Sequence, residues 1–349
     1  MSEKLEAGLI KAYVLPHPPI IIPEVGRGDE KKIQKTLDAM TSVAKEIADL
    51  KPDTIIISSP HAPAYRDGFF FAAGPKVKGS LAAFGLPQVR DEVKIDQELL
   101  DRVLETMDRE DMPYIESREG QYQLDHAAMV PLYFIHRFYR DFKVLILALS
   151  GLSNRLHYEL GRILSREAKK AGRRMVYIAS GDLSHVLKED GPYGYRPEGP
   201  AFDRKIMHIL EEADFDALLA ITPREMDQAA QCGARSFQIM AGALDGLKPK
   251  AKRYSYEGPF GVGYGVLSYT PQISAYGSRA LEEEDPYVAL ARQTIENYVR
   301  KEDIGPLPKD LPEEMLANKA GVFVSIHEDG ELRGCIDRKS TRLNSSHNA

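Results

Sequence analysis

His17 sits in Pro16-His17-Pro18-Pro19 and His61 in Pro60-His61-Ala62-Pro63, so two imidazoles are each framed by prolines. Proline fixes φ and holds a short turn rigid at low entropic cost, which suits a side chain that must keep its position. One such histidine is equally well explained as an ordinary loop residue. Two in the same setting point to ligands, because neutral imidazole is the commonest protein donor to metals. A third histidine closes the segment Gly181-Asp182-Leu183-Ser184-His185. An Asp-x-x-His pair can orient an imidazole and tune its proton affinity. His185 is thus equally consistent with a metal ligand and with an acid or base beside one, and Asp182 also with a helix N-cap. His126, in Leu124-Asp125-His126-Ala127, either reaches a pocket or simply opens a helix. Cys232, in Gln231-Cys232-Gly233-Ala234, is on residue type alone more often a small buried apolar group than a ligand. The glycine after it suggests close backbone approach. His136, His157 and His208 fall inside helical patterns and are expected at surface or partly buried positions.

The elements that must carry these groups follow from hydrophobic spacing. Residues 8–15 read as a first strand, ending at the His17 turn. Residues 30–50 have a helical stripe of Ile33, Leu37, Met40, Val43, Ile47 and Leu50. The β-branched run 54–58 reads as a buried parallel strand ending at the His61 turn. Helices are expected over 94–108 and 125–139, a third strand over 144–150 and a helix over 154–171. A fourth strand over 175–180 runs into the Asp182-x-x-His185 turn. The Gly-, Pro- and Tyr-rich segment 189–200 reads as a loop over the site. Helices are expected over 201–220 and 223–245, and a last strand over 261–270. Such alternation predicts an α/β fold with a mostly parallel or mixed sheet flanked by helices. Ligands in these sheets bind beyond the carboxyl ends of strands, and His17, His61 and His185 each follow a predicted strand.

Residues 1–271 are therefore expected to form a metal-binding catalytic domain, with a linker over 272–285 that contains the acidic run Glu282-Glu283-Glu284-Asp285. An incomplete α+β domain is expected over 286–337. It comprises a helix over 287–300 and a hairpin of 321–326 with 331–336, turning at Asp329-Gly330. One helix and one hairpin are too little to bury a core. Residues 338–349, RKSTRLNSSHNA, break the pattern and are set aside as an artefactual tail. The 349 residues suggest two domains or one large one, and the net charge of -6 and the pI near 5.9 argue against a nucleic-acid surface. No apolar run has the length of a membrane span and no signal peptide opens the chain, so a cytoplasmic protein is expected. The two cysteines, Cys232 and Cys335, lie far apart in sequence and form no disulfide framework.

The segments LPHPP, SSPHAP, LDHAAMVPL, SGDLSH and QCGARSFQIMAGAL, in that order, resemble the LigB-like class III extradiol ring-cleavage dioxygenases and their relatives, the Memo family. The resemblance covers roughly residues 8–271. It implies a non-haem Fe(II) held by two histidines and a carboxylate, with His17 and His61 matching the histidines. His126 and His185 match active-site histidines that assist substrate binding and proton transfer. Cys232 stands where the dioxygenases have Glu, as it does in Memo-type proteins, and Asp182-x-x-His185 also fits the Memo pattern. Thiolate is softer than carboxylate and shifts preference toward Zn, Cu(I) or thiolate-ligated Fe. Residues 286–336 resemble the start of the AMMECR domain family, through PYVALAR, GVFVS and LRGCI. There Cys335 belongs to a signature segment, with Asp337 where Gly would follow. The alternative for Cys335 is a buried strand residue.

Two functions follow from the resemblance. The first is an Fe(II)-dependent extradiol dioxygenase-like oxidoreductase taking a small catechol-like aromatic and O2, with metal ligands His17, His61 and Cys232 and with His126, Asp182 and His185 as catalytic groups. The second is a Memo-like metal and redox protein that works with a radical-SAM partner without ring cleavage, with Zn or Cu as the alternative metals. Homo-oligomerisation is compatible with both, and metal-assisted hydrolysis is a third course.

Overall fold

The computed structural model describes residues 7–117 and 120–272, isolated positions between 287 and 315, and the backbone of 322–328 and 331–338. Two compact units divide between Gln272 and Ile273. The strands of the first unit are β1 (Gly8–Leu15), β2 (Thr54–Ser59), β3 (Phe69–Phe71), β4 (Lys76–Leu81), β5 (Leu86–Lys94), β6 (Tyr114–Glu116), β7 (Gln123–Leu124), β8 (Lys143–Ala148), β9 (Arg174–Ser180), β10 (Lys250–Glu257) and β11 (Tyr264–Thr270). Eight form one sheet in the order β10-β11-β1-β9-β2-β8-β3-β6. Its centre, β1-β9-β2-β8, is parallel. β11 runs antiparallel to β1, β10 to β11, and β3 to β8, so the sheet is mixed.

The central strands are apolar because they are covered on both faces. Every residue of β2 is buried, as is every residue of β9 beyond Arg174. In such a strand both side-chain directions need apolar groups, which is why TIIISS and RMVYIAS show no alternation. A second sheet, β5-β4-β7, was not foreseen. Its β5 carries exposed charge along much of its length, so its sequence lacks the apolar run that marks a buried strand.

The helices are α1 (Pro23–Gly26), α2 (Gln34–Leu50), α3 (Gln97–Arg109), α4 (His126–Ile135), α5 (Asn154–Lys170), α6 (Glu198–Glu212), α7 (Phe215–Leu219), α8 (Pro223–Ala229) and α9 (Ala234–Ala243). α5 and α9 pack together and against β1 and β9; α2 and α4 form a second packed pair, α4 against β2 and β9. The helix expected over 30–50 opens as a 3-10 segment, Asp29–Ile33, before α2. Two expected helices prove to be broken. The 201–220 segment splits at Ala213, whose φ is 53°, and Asp214 then caps α7. The 223–245 segment splits at Ala230, with φ 50°, so that Cys232 lies in the gap between α8 and α9. A left-handed residue ends a helix whatever the apolar periodicity around it. Periodicity spans the break, so the sequence pattern missed it.

His157 also departs from expectation. It is 0% exposed, with Nδ1 against the Ser153 carbonyl and Nε2 accepting from the Ser150 N–H. His136 is buried against Asp91, whereas His208 is exposed as expected. Among the described residues no helix is long and apolar enough to cross a membrane.

In the second unit β12 (Val322–Glu328) and β13 (Glu331–Arg338) form the expected antiparallel hairpin, with Ser325 opposite Cys335. Of the helix expected over 287–300, the described positions Tyr287, Leu290, Ala291, Thr294 and Tyr298 are helical. The linker and the 339–349 tail lie outside the described residues, as does the Cys335 side chain.

Gly242 offers a test of the α5–α9 contact. A Cβ there would stand 1.8 Å from the Tyr158 carbonyl oxygen, a backbone atom that cannot swing away. Helix propensity alone would favour Gly242→Ala by about 1 kcal/mol, while overpacking costs about 1–3 kcal/mol. Gly242→Ala is therefore expected to lower the urea midpoint; an unchanged or higher midpoint would show that the helices can part freely.

Candidate metal centre

The site grows from the carboxyl edge of the parallel strands. β1, β9 and β2 are neighbours, and their ends are level: Leu15 pairs with Ser180, and Ser58 with Ala179. The turns after these strands therefore start side by side, and they bring His17, Asp182–His185 and His61 to one place.

His17 is 1% exposed. Its backbone N–H donates to Asp182 Oδ1 at 2.9 Å, and its Nδ1 lies 2.9 Å from Ser180 Oγ. Its Nε2 faces His61 Nε2 at 3.2 Å and Cys232 Sγ at 3.7 Å, with Asp182 Oδ2 at 3.9 Å. His61 stands at the exposed mouth, and its N–H donates to Ser59 Oγ at 3.1 Å. The Ser59 hydroxyl in turn donates to Asp125 Oδ1 at 2.7 Å. Asp125 caps α4 through the Ala127 and Ala128 N–H groups and accepts from the Tyr122 hydroxyl at 2.6 Å. One carboxylate thus fixes both the helix start and the His61 turn.

Cys232 arrives from the other side. Its Sγ accepts from the Asp182 N–H at 3.2 Å, and the Cys232 and Gly233 N–H groups point to the Asp182 carbonyl. This approach requires two facing glycines: a Cβ on Gly181 would sit 2.2 Å from the Gly233 Cα. One ligand-capable atom from each of His17, His61 and Cys232 lies within 4.8 Å of the others, the group among the described residues that could hold a metal ion.

His126 opens α4 with its ring 4.2 Å from that of His61 and 5.3 Å from that of His17. Phe84 packs on its far side at 5.2 Å. His185 stands against Tyr193, 5.2 Å ring to ring, from the segment expected as a loop over 189–200, whose last residues, from Glu198, instead open α6. All six residues singled out from the sequence thus belong to one neighbourhood. The reading missed the groups that hold them, Ser59, Ser180, Asp125 and Tyr122, and the flanking Phe84 and Tyr193. Ser59 and Ser180 carried a faint signal, since each is the last residue of a strand before a turn that bears a candidate site residue.

The electrostatics suit a cation. Burial holds the His17 imidazole well below its ordinary range, and the neighbouring His61, His126 and His185 add to the effect. Burial also lowers His61, partly offset by Asp125. It takes His126 to about 4, with a further push from His61. His185 is lowered by burial, while the Ala230 and Leu183 carbonyls pull the other way. Each ring is therefore neutral at pH 7 and has a lone pair to offer. Burial raises Asp182 to about 7. Cys232 is half-buried by surface, yet the protein packed around its sulfur, with Asp182 beside it, pushes the thiol well up. These are the costs of gathering acceptors without a counter-charge, and a divalent cation reverses both upward shifts. The donor set fits a metal.

Residues 11–267 match the family of the catalytic LigB subunit of aromatic ring-opening dioxygenase, and the chain belongs to that family. Residues 288–343 match AMMECR1, so the chain joins a LigB domain to an AMMECR1 domain; that match ends inside the 338–349 segment. Protein CA_C1420 of Clostridium acetobutylicum is 39% identical over 346 residues, covering 93% of this chain and 74% of that protein. MEMO1 family proteins are similar over shorter stretches. That of Methanococcoides burtonii is 28% identical over 40% of this chain and 47% of its own length. That of Methanosarcina mazei is 28% identical over 38% and 44%.

If the three donors form the site, His17→Ala or His61→Ala abolishes stoichiometric metal binding while cooperative unfolding persists, because side chains on loop ends add little to the core. Metal analysis with thermal melts checks this; full metal retention in the double variant would exclude the assignment. The support under His185 has its own test. Asp203, buried on α6, accepts from the Ser184 N–H at 2.8 Å and from the Tyr256 hydroxyl at 2.8 Å, and burial raises it from 3.8 to about 6. Between these values the folded state binds more protons than the unfolded state, so this group's contribution to stability falls as pH rises through the window. Asp203→Asn keeps both hydrogen-bond partners and is expected to flatten that slope in urea titrations of metal-free protein; an identical slope would remove Asp203 as its source.

Proposed function

We propose that this protein is a metal-dependent oxidoreductase of the LigB type, which uses Fe(II) held by His17, His61 and Cys232 to act with O2 on a small catechol-like aromatic. The observation that carries the reading is the convergence of these three donors beyond the parallel strands, with His126 and His185 beside them. The cation would favour the deprotonated form of a bound hydroxyl and supply the redox chemistry with O2.

The chain's own groups divide the remaining work. His126, at about 4, is a poor base near neutrality, since proton transfer is most effective when the catalytic pKa lies near the working pH. Its ring forms a wall, with Phe84 behind it. His185 stands beside Tyr193, and in this reading it takes the substrate proton. Asp182 holds the His17 backbone and, through its own N–H, the Cys232 sulfur; it positions two ligands.

Cys232 also favours a second reading. A thiolate replaces the carboxylate that ring cleavage uses in this family, and it is oxidisable by activated oxygen. With MEMO1 family proteins among the relatives, this supports a metal and redox protein that works with a radical-SAM partner, without ring cleavage and with Zn or Cu as the metal.

Anaerobic reconstitution with Fe(II), followed by oxygen uptake over a panel of catechols, separates the two. Uptake that depends on catechol and His185 is expected from the first; stoichiometric metal with no uptake would leave the second. Cys232→Ser is expected to remove the thiolate-to-metal charge-transfer band of Co(II)-substituted protein. A spectrum identical to that of the parent would make Cys232 a packing residue and sink both assignments of the thiolate.

A further inference from the structure

The LDHAAMVPL segment places a proline, Pro131, in the interior of α4. A proline there is costly by about 3 kcal/mol, because it lacks an N–H and crowds the preceding turn. The missing donor is the one that would serve the carbonyl four residues back, and that carbonyl is Ala127. Instead, the Ser180 hydroxyl donates to the Ala127 oxygen at 2.7 Å. A serine hydroxyl has a single hydrogen. With that hydrogen committed to Ala127, Ser180 Oγ can only accept from His17 Nδ1, 2.9 Å away. His17 is then the Nδ1–H tautomer, and the lone pair lies on Nε2, the nitrogen that faces His61 and Cys232.

We propose that Pro131, the Ala127 carbonyl and Ser180 form a positioning relay that locks His17 into the Nδ1–H tautomer, so that Nε2 is presented as the metal donor. The proposal rests on the metal reading of the site, but the lock itself belongs to the metal-free protein. Ser180 and Ala127 are both 0% exposed, so no water competes for either hydrogen bond. His17 is fixed at both ends, its backbone by Asp182 and its ring by Ser180. The relay also gives a reason for a proline inside a helix: its cost to α4 leaves a buried carbonyl free for a hydroxyl on the neighbouring strand. Metal-bound histidines commonly have their second nitrogen fixed in this way, and loss of such a partner weakens metal affinity about 10- to 100-fold.

The test uses the full chain with 15N-labelled histidine, metal-free, and the parent, Ser180→Ala, Ser180→Thr and Pro131→Ala. Ring 15N shifts report the tautomer, and Co(II) titration reports affinity. The expected result is Nδ1–H for His17 in the parent and in Ser180→Thr, which keeps the hydroxyl. Ser180→Ala should populate the other tautomer and weaken Co(II) binding about 10- to 100-fold. Pro131→Ala restores an N–H that competes for the Ala127 carbonyl. It should shift the tautomer in the same direction while thermal stability holds or rises, an outcome that a merely structural proline would not give. An Nε2–H tautomer in the parent, or parental 15N shifts in both Ser180→Ala and Pro131→Ala, would overturn the relay. A parent that shows the Nδ1–H tautomer yet takes up no Co(II) would sink the metal reading and leave the lock supported.

Discussion

The site depends on one constraint, the parallel adjacency of β1, β9 and β2 with their ends in register. Neighbouring strands lie about 4.8 Å apart, so three turns leaving one sheet edge begin within the span of a few atoms. His17 follows Leu15 by two residues, His61 follows Ser59 by two, and Asp182 follows Ser180 by two. A slip of one residue in any pair would turn that strand's side chains to the opposite face and pull its turn away from the others. Such a slip would also part the strand-end serines from their partners, Ser59 from Asp125 and Ser180 from His17 and the Ala127 carbonyl.

The gathering has an electrostatic consequence. Four imidazoles, a thiol and a carboxylate crowd together, with His17 and Asp182 buried and His61 at the open mouth, and the protein packed around them moves each toward its neutral form. A neutral imidazole with its lone pair turned inward is ready to bind a cation, whereas a protonated one would first have to release its hydrogen. The hydrogen-bond shell works in the same sense. Asp125 reaches His61 through Ser59, Asp182 holds the His17 backbone, and Ser180 holds the His17 ring. The Ser59 and Ser180 contacts also join α4 to the sheet, so the packing of that helix and the aim of His17 and His61 depend on each other.

The sequence was informative wherever a local rule applies. Apolar β-branched runs gave the central strands, because a strand buried on both faces has few other compositions open to it. The Pro-framed histidines gave two candidate donor positions, and the rule that ligands bind beyond strand ends in α/β sheets gave their common edge. The segments of the LigB and AMMECR families were legible in order along the chain. The hairpin β4–β5 was missed because β4 buries only alternate residues and β5 is charged and largely exposed, so neither carries an apolar run. His157 was expected nearer the surface because its polarity hid a pair of satisfied hydrogen bonds inside the core.

By itself, then, the sequence determined the layer architecture, the candidate donors and the turns that bear them, since these follow from periodicity, proline geometry and residue chemistry within a few positions of each other. Only the tertiary structure decided which strands became neighbours, and β9 came to lie between β1 and β2 although it is the ninth strand in the chain. It decided that α8 and α9 part at Ala230, which freed Cys232 to approach the Asp182 turn through the Gly181–Gly233 contact. It also decided which nitrogen of His17 faces the other donors, through a serine about 160 residues away and a helix carbonyl that a proline left free. The reason is the same in each case: these are contacts between segments far apart in the chain, fixed by burial and hydrogen bonding across the core, and no local pattern encodes the partner.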